Sequence, residues 1–340
     1  MRGADPDLGL RAMDIKLHLG AHRCASTTFQ TYLWANRTAL AHKGVTCWTP
    51  RRTRDGLLRG LVRHPALITL NDERLAVRAT GRMRIEFQRL ERLGQETLLI
   101  SEENLIGTLR NNLADTRLYP MLRERLLRFR PAFEGHRLQI GLCVRSYEDY
   151  WASALAYLLL KGFPKPSEDM LDFLTTQPRR WRSLVRDIAA VFPDADIMVW
   201  PFERLCSQPS AVLDIFATNA SLSLPLAEIH RHRSPDVAQL NAALTLRGEA
   251  RIDAGPRPQG QRWMPFDAEQ TRVLRAEYRR DIAWLEAGAE GLARYVDGRQ
   301  TPATRPDRAL DVTGAEAAAL AQMRGRTDGI EEGLGGSRAG

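Results

Sequence analysis

"LHLGAHRCASTTFQTYL", residues 17–33, decides the fold, because it joins an apolar run to a helical pattern through a short polar loop. The loop follows a glycine and contains Arg23, Ser26, Thr27 and Thr28. A strand that ends in a tight turn and opens a helix leaves backbone N–H groups pointing at one spot, where the helix dipole adds positive potential. The stretch therefore predicts a strand, an anion-binding loop and a helix in succession.

The loop lacks the lysine of an ordinary nucleotide-binding loop. The pattern G-x-x-x-x-G-K-[ST] requires a second glycine and then a lysine. Counted from Gly20, this chain has Ala25, Ser26 and Thr27 at those places, which argues against an ordinary ATP or GTP hydrolase. Arg23 supplies a cation earlier, inside the turn, so the loop is expected to hold a tetrahedral anion. The alternative is a plain strand-to-helix turn whose Ser and Thr residues cap the helix.

Short β-like runs recur between longer amphipathic stretches. They lie at 15–19, 45–48, 97–100, 138–144 and 196–200. Strands that alternate with helical patterns are typical of βαβ units and a parallel sheet. The sequence therefore predicts an α/β, P-loop-like fold of three layers, in which helices flank a central, mainly parallel sheet.

The rest of the chain is predicted to be helical or irregular. We expect a helix over 29–44 that closes at Gly44, and no further strand after Trp200. The other predicted segments are an arginine-rich helical insertion at 51–92, a loop and short helix at 161–180, a helical region near 208–250, a loop at 254–263 and a helix near 267–288. We assign 14–290 to one domain and 300–340 to a peripheral or disordered C-terminal tail.

The composition limits the classes of partner that the protein is expected to bind. The 340 residues carry a formal charge of +8, which indicates an anionic partner but does not separate a nucleic acid from a small phosphorylated or sulfated ligand. The chain shows no helix-turn-helix, zinc or RNP-type signature, so we expect no nucleic-acid partner. The four cysteines show no CxxC spacing, so we expect no metal site. Without an apolar run of about 18 residues or a secretory segment, we expect a cytoplasmic protein with no transmembrane segment.

A second constellation follows the run at 138–144. Arg145 comes directly after it, and the helical pattern that continues from there contains Ser153. An arginine at the carboxyl end of a strand and a serine on the next helix can converge on one oxyanion at the edge of a parallel sheet. The guanidinium offers a planar fork and the hydroxyl one more donor. The alternative is a surface arginine and a helix serine with no common ligand.

Together the two motifs resemble a known family. "HLGAHRCASTTFQ" is similar to the 5′-phosphosulfate loop of sulfotransferases that use 3′-phosphoadenosine 5′-phosphosulfate (PAPS), especially the bacterial pattern H-[IL]-G-x-H-K-T-G-T-T-x-[LF]-Q. The Arg145 and Ser153 pair resembles the family's 3′-phosphate motif. The resemblance extends to "LLISEENL", "VWPFERL" and "LRAEYRRDIAWLEAG", and covers roughly residues 14–290. Two positions depart from the pattern: Arg23 replaces lysine, and Ala25 replaces glycine, so Ala25 is expected to avoid a positive φ.

The resemblance implies a set of binding residues for PAPS as co-substrate, with no metal. Arg23 would bind the 5′-phosphosulfate and neutralise the bridging oxygen as the S–O bond breaks. The 5′-phosphate would be held by the loop residues Arg23, Cys24, Ala25, Ser26, Thr27 and Thr28. The 3′-phosphate would be held by Arg145 and Ser153, and by a late basic loop through Arg257, Gly260 and Arg262.

The resemblance also implies a base for the acceptor. It assigns the functional carboxylate to Glu103, and because adjacent carboxylates usually point apart, Glu102 is expected to face the other way. A glutamate that only caps the next helix is the alternative for Glu103, and His22 is a further catalytic candidate. The predicted activity is sulfuryl transfer to a hydroxyl or amine of a small-molecule or glycan acceptor, by analogy a carbohydrate or glycolipid. The alternative function is a P-loop small-molecule kinase.

Overall fold

The structure is a computed structural model that describes residues 13–216, 234–253 and 262–298. The described strands are β1 (Asp14–His18), β2 (Val45–Trp48), β3 (Thr97–Ser101), β4 (Leu138–Val144), β5 (Asp196–Pro201) and β6 (Arg294–Tyr295). They form one sheet in the order β2-β3-β1-β4-β5-β6, and every pairing is parallel. The predicted α/β fold with a central parallel sheet flanked by helices is confirmed.

The described helices connect these strands. They are α1 (Ser26–Ala35), α2 (Arg37–Ala41), α3 (Pro50–Arg52), α4 (Leu70–Arg92), α5 (Leu109–Ala114), α6 (Leu122–Phe133), α7 (Tyr147–Leu160), α8 (Glu168–Thr176), α9 (Trp181–Val191), α10 (Phe202–Leu205), α11 (Pro209–Ile215), α12 (Val237–Leu246) and α13 (Ala268–Glu286). The helices predicted near 267–288 and within 161–180 are confirmed as α13 and α8.

Two helix predictions need correction. The helix expected over 29–44 begins at Ser26 and breaks at Asn36, between α1 and α2. Within the insertion at 51–92, only α4 is a long helix. The part before α4 consists of short turns, including a π-helical turn at Thr53–Leu57. Asp55, at ψ 50°, and Gly56, at φ 75°, interrupt helical geometry there.

The expectation of no strand after Trp200 is wrong. β6 pairs with β5, with Met198 opposite Arg294 and Val199 opposite Tyr295. Two residues carry no alternation that a sequence pattern could show, so only the pairing defines this strand. The sheet therefore extends past the predicted domain boundary at 290. The predicted tail at 300–340, and the parts of the predicted segments that fall on 217–233 and 254–261, lie outside the described residues.

The middle of the sheet is packed tightly against aromatic side chains. A Cβ on Gly141 would come within 2.5 Å of Phe216 and 2.8 Å of Trp200, so β4 tolerates no side chain at this position. His18 is stacked on Trp200 and its Nδ1 lies 2.8 Å from Ser101 Oγ. Burial lowers the pKa of His18 to about 4. His18 is therefore a neutral core residue at physiological pH.

The parallel strands bring four chain segments to one edge of the sheet. The loop after β1, Glu102 after β3, Arg145 after β4 and Phe202 after β5 all follow the carboxyl ends of adjacent strands. β1 is the point at which the strand order changes direction, because β3 lies on one side of it and β4 on the other. Ligands of open α/β sheets bind at such a point.

Candidate active site

The loop after β1 is held against β4 by its backbone. Leu19 N donates to Gly141 O at 2.9 Å, and Ala21 N donates to Cys143 O at 3.2 Å. Gly20 has φ 85°, and a Cβ there would meet Ser26 Oγ at 2.9 Å and the Glu103 side chain at 3.1 Å. Glycine is therefore required at position 20 for both conformation and space.

Ala25 adopts the conformation that the sequence analysis expected it to avoid. Its φ is 64° and ψ 17°, in the left-handed region, and Arg23 also has φ 59°. An L-residue there costs about 1–2 kcal/mol, so the loop stores strain at the two positions where the resembled pattern has lysine and glycine. The prediction failed because the turn that reverses the chain into α1 imposes this geometry, whichever residue occupies the position.

The start of α1 has no side-chain cap. Ala25 is its N-cap residue and provides no hydroxyl or carboxylate, and the neighbouring Ser26 Oγ donates to Ala21 O at 3.2 Å instead. The interpretation of the loop as a plain turn whose Ser and Thr residues cap the helix is thus not supported by the described residues. The first amide groups of α1 face the sheet edge, where a helix N-terminus attracts an anion.

The two sequence motifs meet at Arg23. Arg145 Nη1 donates to Arg23 O at 2.7 Å, and Arg23 Nε donates to Ser153 Oγ at 2.9 Å. Ser153 Oγ also lies 2.7 Å from Ser234 Oγ. The structure therefore brings Arg23, Arg145 and Ser153 together at one place.

Arg262 completes a cluster of three arginines. It pairs with Asp149, with 2.7 Å between Nη1 and Oδ1. Burial, and after it the charge of Arg145, lowers the pKa of Arg262, and the same two causes lower the pKa of Arg23 to about 10. The charges of these arginines repel one another in a partly buried place and together favour an anion.

The hydrogen bonds of Arg145 to the described residues leave one of its donors unused. Its Nε is buried and has no hydrogen-bond partner among the described residues. The guanidinium lies over the Phe202 ring, 4.1 Å from the centroid, so one face of the group is covered by an aromatic side chain. A buried donor without an acceptor is costly, and an oxyanion at this position would satisfy it. Arg257 and Gly260, which the sequence analysis assigned to the same phosphate, lie outside the described residues.

The two adjacent glutamates do not point apart. Arg54 Nη2 lies 2.8 Å from Glu102 Oε1 and 2.9 Å from Glu103 Oε1, so one guanidinium bridges both carboxylates. Glu102 accepts further bonds from Thr53 Oγ1 at 2.5 Å and Asn104 N at 3.0 Å, and its side chain is 1% exposed. Glu103 is 13% exposed. Glu102 is thus a buried anchor for Arg54, while Glu103 is the carboxylate with access to the sheet edge.

Arg54 also sets the charge state of Glu103. Burial alone would raise the pKa of Glu103, but the Arg54 guanidinium and then His22 outweigh burial and lower it to about 2. Gln30 Nε2 donates to Glu103 Oε2 at 2.7 Å and adds to the stabilisation of the anion. Glu103 is therefore ionised at any physiological pH, and it binds a proton weakly.

His22 is fixed by two neighbours. Its Nδ1 lies 2.9 Å from Tyr119 Oη and its Nε2 lies 3.1 Å from Asn104 Oδ1. The backbone N–H of His22 also donates to Tyr119 Oη at 2.9 Å. The ring is buried and both nitrogens have a partner, so the imidazole is held in one orientation beside the Glu103 carboxylate.

Asp281, on α13, supports the backbone of Arg145 through Trp181. Asp281 is fully buried; it accepts from the Tyr147 hydroxyl and, at 3.1 Å, from Trp181 N. Trp181 Nε1 donates to Arg145 O at 2.8 Å. Asp281 therefore reaches Arg145 through one tryptophan, which fixes the arginine's backbone at the end of β4.

Several of these residues escaped the sequence analysis. They are Arg54, Gln30, Asn104, Tyr119 and Phe202. The support that Asp281 gives to Arg145 was also not predicted. Tyr147, Tyr150 and Trp151, which follow Arg145, are fully buried in the core. The ring that covers Arg145 instead comes from Phe202, after the neighbouring strand. Adjacent strands in the sheet are distant in sequence, so the pattern around Arg145 contained no signal for Phe202.

Within the described residues, no group of three or more His, Cys, Asp or Glu side chains is arranged to hold a metal ion. The four cysteines are free thiols. No described helix has both the length and the apolar character needed to cross a bilayer.

Comparisons with models of known protein families, with curated proteins and with solved structures found no match to this chain.

Proposed function

We propose that this protein is a sulfotransferase that transfers a sulfuryl group from PAPS to a hydroxyl or amine of an acceptor. The observation that carries the proposal is the buried Nε of Arg145, which has no partner among the described residues. It belongs to a cluster with Arg23 and Arg262 at the carboxyl edge of the sheet. Several cations with an unsatisfied donor call for a ligand that carries more than one anionic group.

The arginines have separate tasks in this proposal. Arg145, with Ser153 and Arg262, would hold the 3′-phosphate, and the first amide groups of α1 would hold the 5′-phosphate. Arg23 lies between the two and would stabilise the negative charge that develops on the departing phosphate. PAPS supplies the activated sulfuryl group, with adenosine 3′,5′-bisphosphate as the leaving group.

The carboxylate pair serves the acceptor. Glu103 is ionised, partly accessible and held by Arg54 and Gln30, so it accepts a hydrogen bond from an acceptor O–H or N–H and orients that group for attack. Because its pKa is about 2, Glu103 takes the proton of the acceptor group only late in the transfer. By then the new bond from the acceptor to sulfur has made that proton acidic. His22 holds Asn104 and the loop rather than replacing this carboxylate.

The acceptor is proposed to be a small molecule or glycan hydroxyl, for which a single accessible carboxylate is a suitable partner. Cytoplasmic action is part of the same proposal, since four free thiols are typical of a reducing compartment.

Ligand binding tests the proposal before any acceptor is known. Thermal unfolding and calorimetry should show tight binding of adenosine 3′,5′-bisphosphate and PAPS, and weaker binding of AMP, which lacks the 3′-phosphate. Tighter binding of ATP with Mg²⁺, followed by ATP turnover, would instead support a small-molecule kinase. Sulfuryl transfer from radiolabelled PAPS to a panel of hydroxyl acceptors is the second stage.

A further inference from the structure

A second cavity lies beside the proposed active site, between the start of α7 and one face of α13. Its volume is about 490 Å³, within the range of roughly 300–1,000 Å³ that is usual for small-molecule sites. Ser146, just before α7, and Glu148, in the first turn of α7, line one side of it. α13 contributes Thr271, Arg272, Arg275 and Arg279, among others, at the spacing of one helix face.

The arginines of this groove are only partly neutralised. Arg275 pairs with Glu148 at 2.8 Å. Arg272 pairs with Glu269, but both side chains are about two-thirds exposed, and such a pair is weak and easily exchanged. Arg279 has no hydrogen bond or ion pair with any described residue. The groove therefore keeps positive charge for a ligand.

Glu148 supplies the opposite chemistry. It is 4% exposed, and its Oε1 is taken by Arg275, but Oε2 is buried with no partner among the described residues. A buried carboxylate oxygen seeks a donor such as a hydroxyl group. Tyr278 forms an aromatic wall of the same groove, with its own hydroxyl occupied by Glu203 at 2.8 Å.

From these groups we infer that the groove binds an anionic sugar, either a sulfate or a phosphate ester. The ester group meets Arg272 and Arg279, a sugar hydroxyl donates to Glu148, and the ring lies against Tyr278. An anion without a sugar would leave the Glu148 oxygen without a hydrogen-bond donor, and the Glu148 carboxylate would repel it. The inference does not rest on the proposed function, because none of these side chains belongs to the proposed nucleotide site.

NMR titration of the full chain with glucose 6-sulfate, glucose 6-phosphate, glucose and inorganic sulfate tests this inference. One or both esters should bind with a millimolar Kd. The ester that binds shows whether the groove recognises a sulfate or a phosphate group. Glucose and inorganic sulfate should bind at least about fivefold more weakly, because each offers only half of the contacts. The titration is run with and without saturating adenosine 3′,5′-bisphosphate.

Matched variants locate the binding. Arg279→Gln and Arg272→Gln should each weaken ester binding about three- to fivefold. Arg89→Gln, on α4, is the control, because Arg89 is an exposed arginine with an i,i+3 partner in Glu86, as Arg272 has in Glu269. Glu148→Gln should weaken the esters but not inorganic sulfate, since it removes an acceptor and a repelling charge together.

Four results would overturn the inference: no ester binding up to about 20 mM, equal binding of inorganic sulfate, equal loss in Arg89→Gln, or displacement of the ester by the nucleotide. The last would mean that the ester occupies the proposed active site. If Glu148→Gln unfolds, Arg279→Gln still decides the question, because Arg279 is an exposed residue. Failure of nucleotide binding with intact ester binding would reject the proposed function alone.

Discussion

Arg145 donates a hydrogen bond to the backbone carbonyl of Arg23, with 2.7 Å between Nη1 and O, across 122 positions of sequence. The residue at the end of β4 thereby holds the loop that follows β1. We therefore expect an anion that binds Arg145 to act also on the loop that carries Arg23, which would couple the two phosphate subsites of the proposed nucleotide.

Arg145→Ala should weaken adenosine 3′,5′-bisphosphate by about 10- to 100-fold, as expected for the loss of one charge-assisted hydrogen bond of about 1.5–3 kcal/mol. AMP should be affected much less, because it lacks the 3′-phosphate. Calorimetry with both nucleotides measures the difference. Equal losses for the two would show that Arg145 acts only by holding the loop.

Arg23→Ala should lower sulfuryl transfer by about 10²-fold or more, which is the usual effect of removing one donor to a developing oxyanion. Arg23→Lys should keep part of the activity, since the charge remains. Single-turnover rates with labelled PAPS measure the chemical step. An alanine variant as fast as the wild type would exclude this role.

Ala25→Gly should stabilise the protein by about 0.5–1 kcal/mol, because glycine adopts the left-handed conformation at position 25 without strain. Ala79→Gly, at a buried position inside α4, serves as the control and should destabilise. Urea unfolding of both variants gives the comparison. Destabilisation by Ala25→Gly would show that the loop relaxes without strain at this residue.

Arg54→Gln should cost about 3–5 kcal/mol at pH 7, because it leaves the buried Glu102 and the partly accessible Glu103 without their common partner. The wild type should lose stability as the pH falls from about 4.5 towards 2, since the pKa of Glu103 is lowered to about 2 in the folded state. In the variant, the largest cause that lowers the pKa of Glu103 is gone, so the loss of stability below about pH 4.5 should become smaller. Arg84→Gln, which breaks an exposed pair with Glu134, should change stability by less than about 1 kcal/mol at any pH.

Glu103→Gln should slow transfer by about 10²–10⁴-fold while nucleotide affinity stays near that of the wild type. Glu102→Gln should act differently, because Glu102 is buried and anchors Arg54. Its effect should appear as a lower unfolding temperature, with a smaller effect on the rate of the folded fraction. Transfer that survives Glu103→Gln unchanged would assign the acceptor contact to another residue.

The sequence predicted those parts of the fold that local patterns determine. The buried runs from β1 to β5, the helix α13 and the polar loop around Arg23 each have a signature within a few residues. β6 has none, because its two residues form a strand only through pairing with β5. The conformation of Ala25 was predicted wrongly, since the residue type at a position does not determine the direction in which the chain must turn.

The positions of Arg145, at the end of β4, and Ser153, on α7, were predictable because a strand and the helix that follows it have a local signature. The site was not predictable where elements from different parts of the chain meet. Arg54 lies among many arginines in the insertion, and nothing in the sequence distinguishes it from Arg51 or Arg52. Its role becomes visible only where the turn after β2 reaches the end of β3.

The support that Asp281 gives to Arg145 has a consequence for how the chain matures. The Tyr147 hydroxyl that contacts Asp281 comes from a residue 134 positions earlier in the sequence. During synthesis, the segments that contain Arg23 and Arg145 leave the ribosome long before Asp281, whose carboxylate supports Arg145. Because closing a contact of this separation costs chain entropy, we expect it to form late in folding. A nucleotide that recognises Arg145 would therefore bind only after α13 has docked, and by mass action it would stabilise the completed protein over every shorter intermediate.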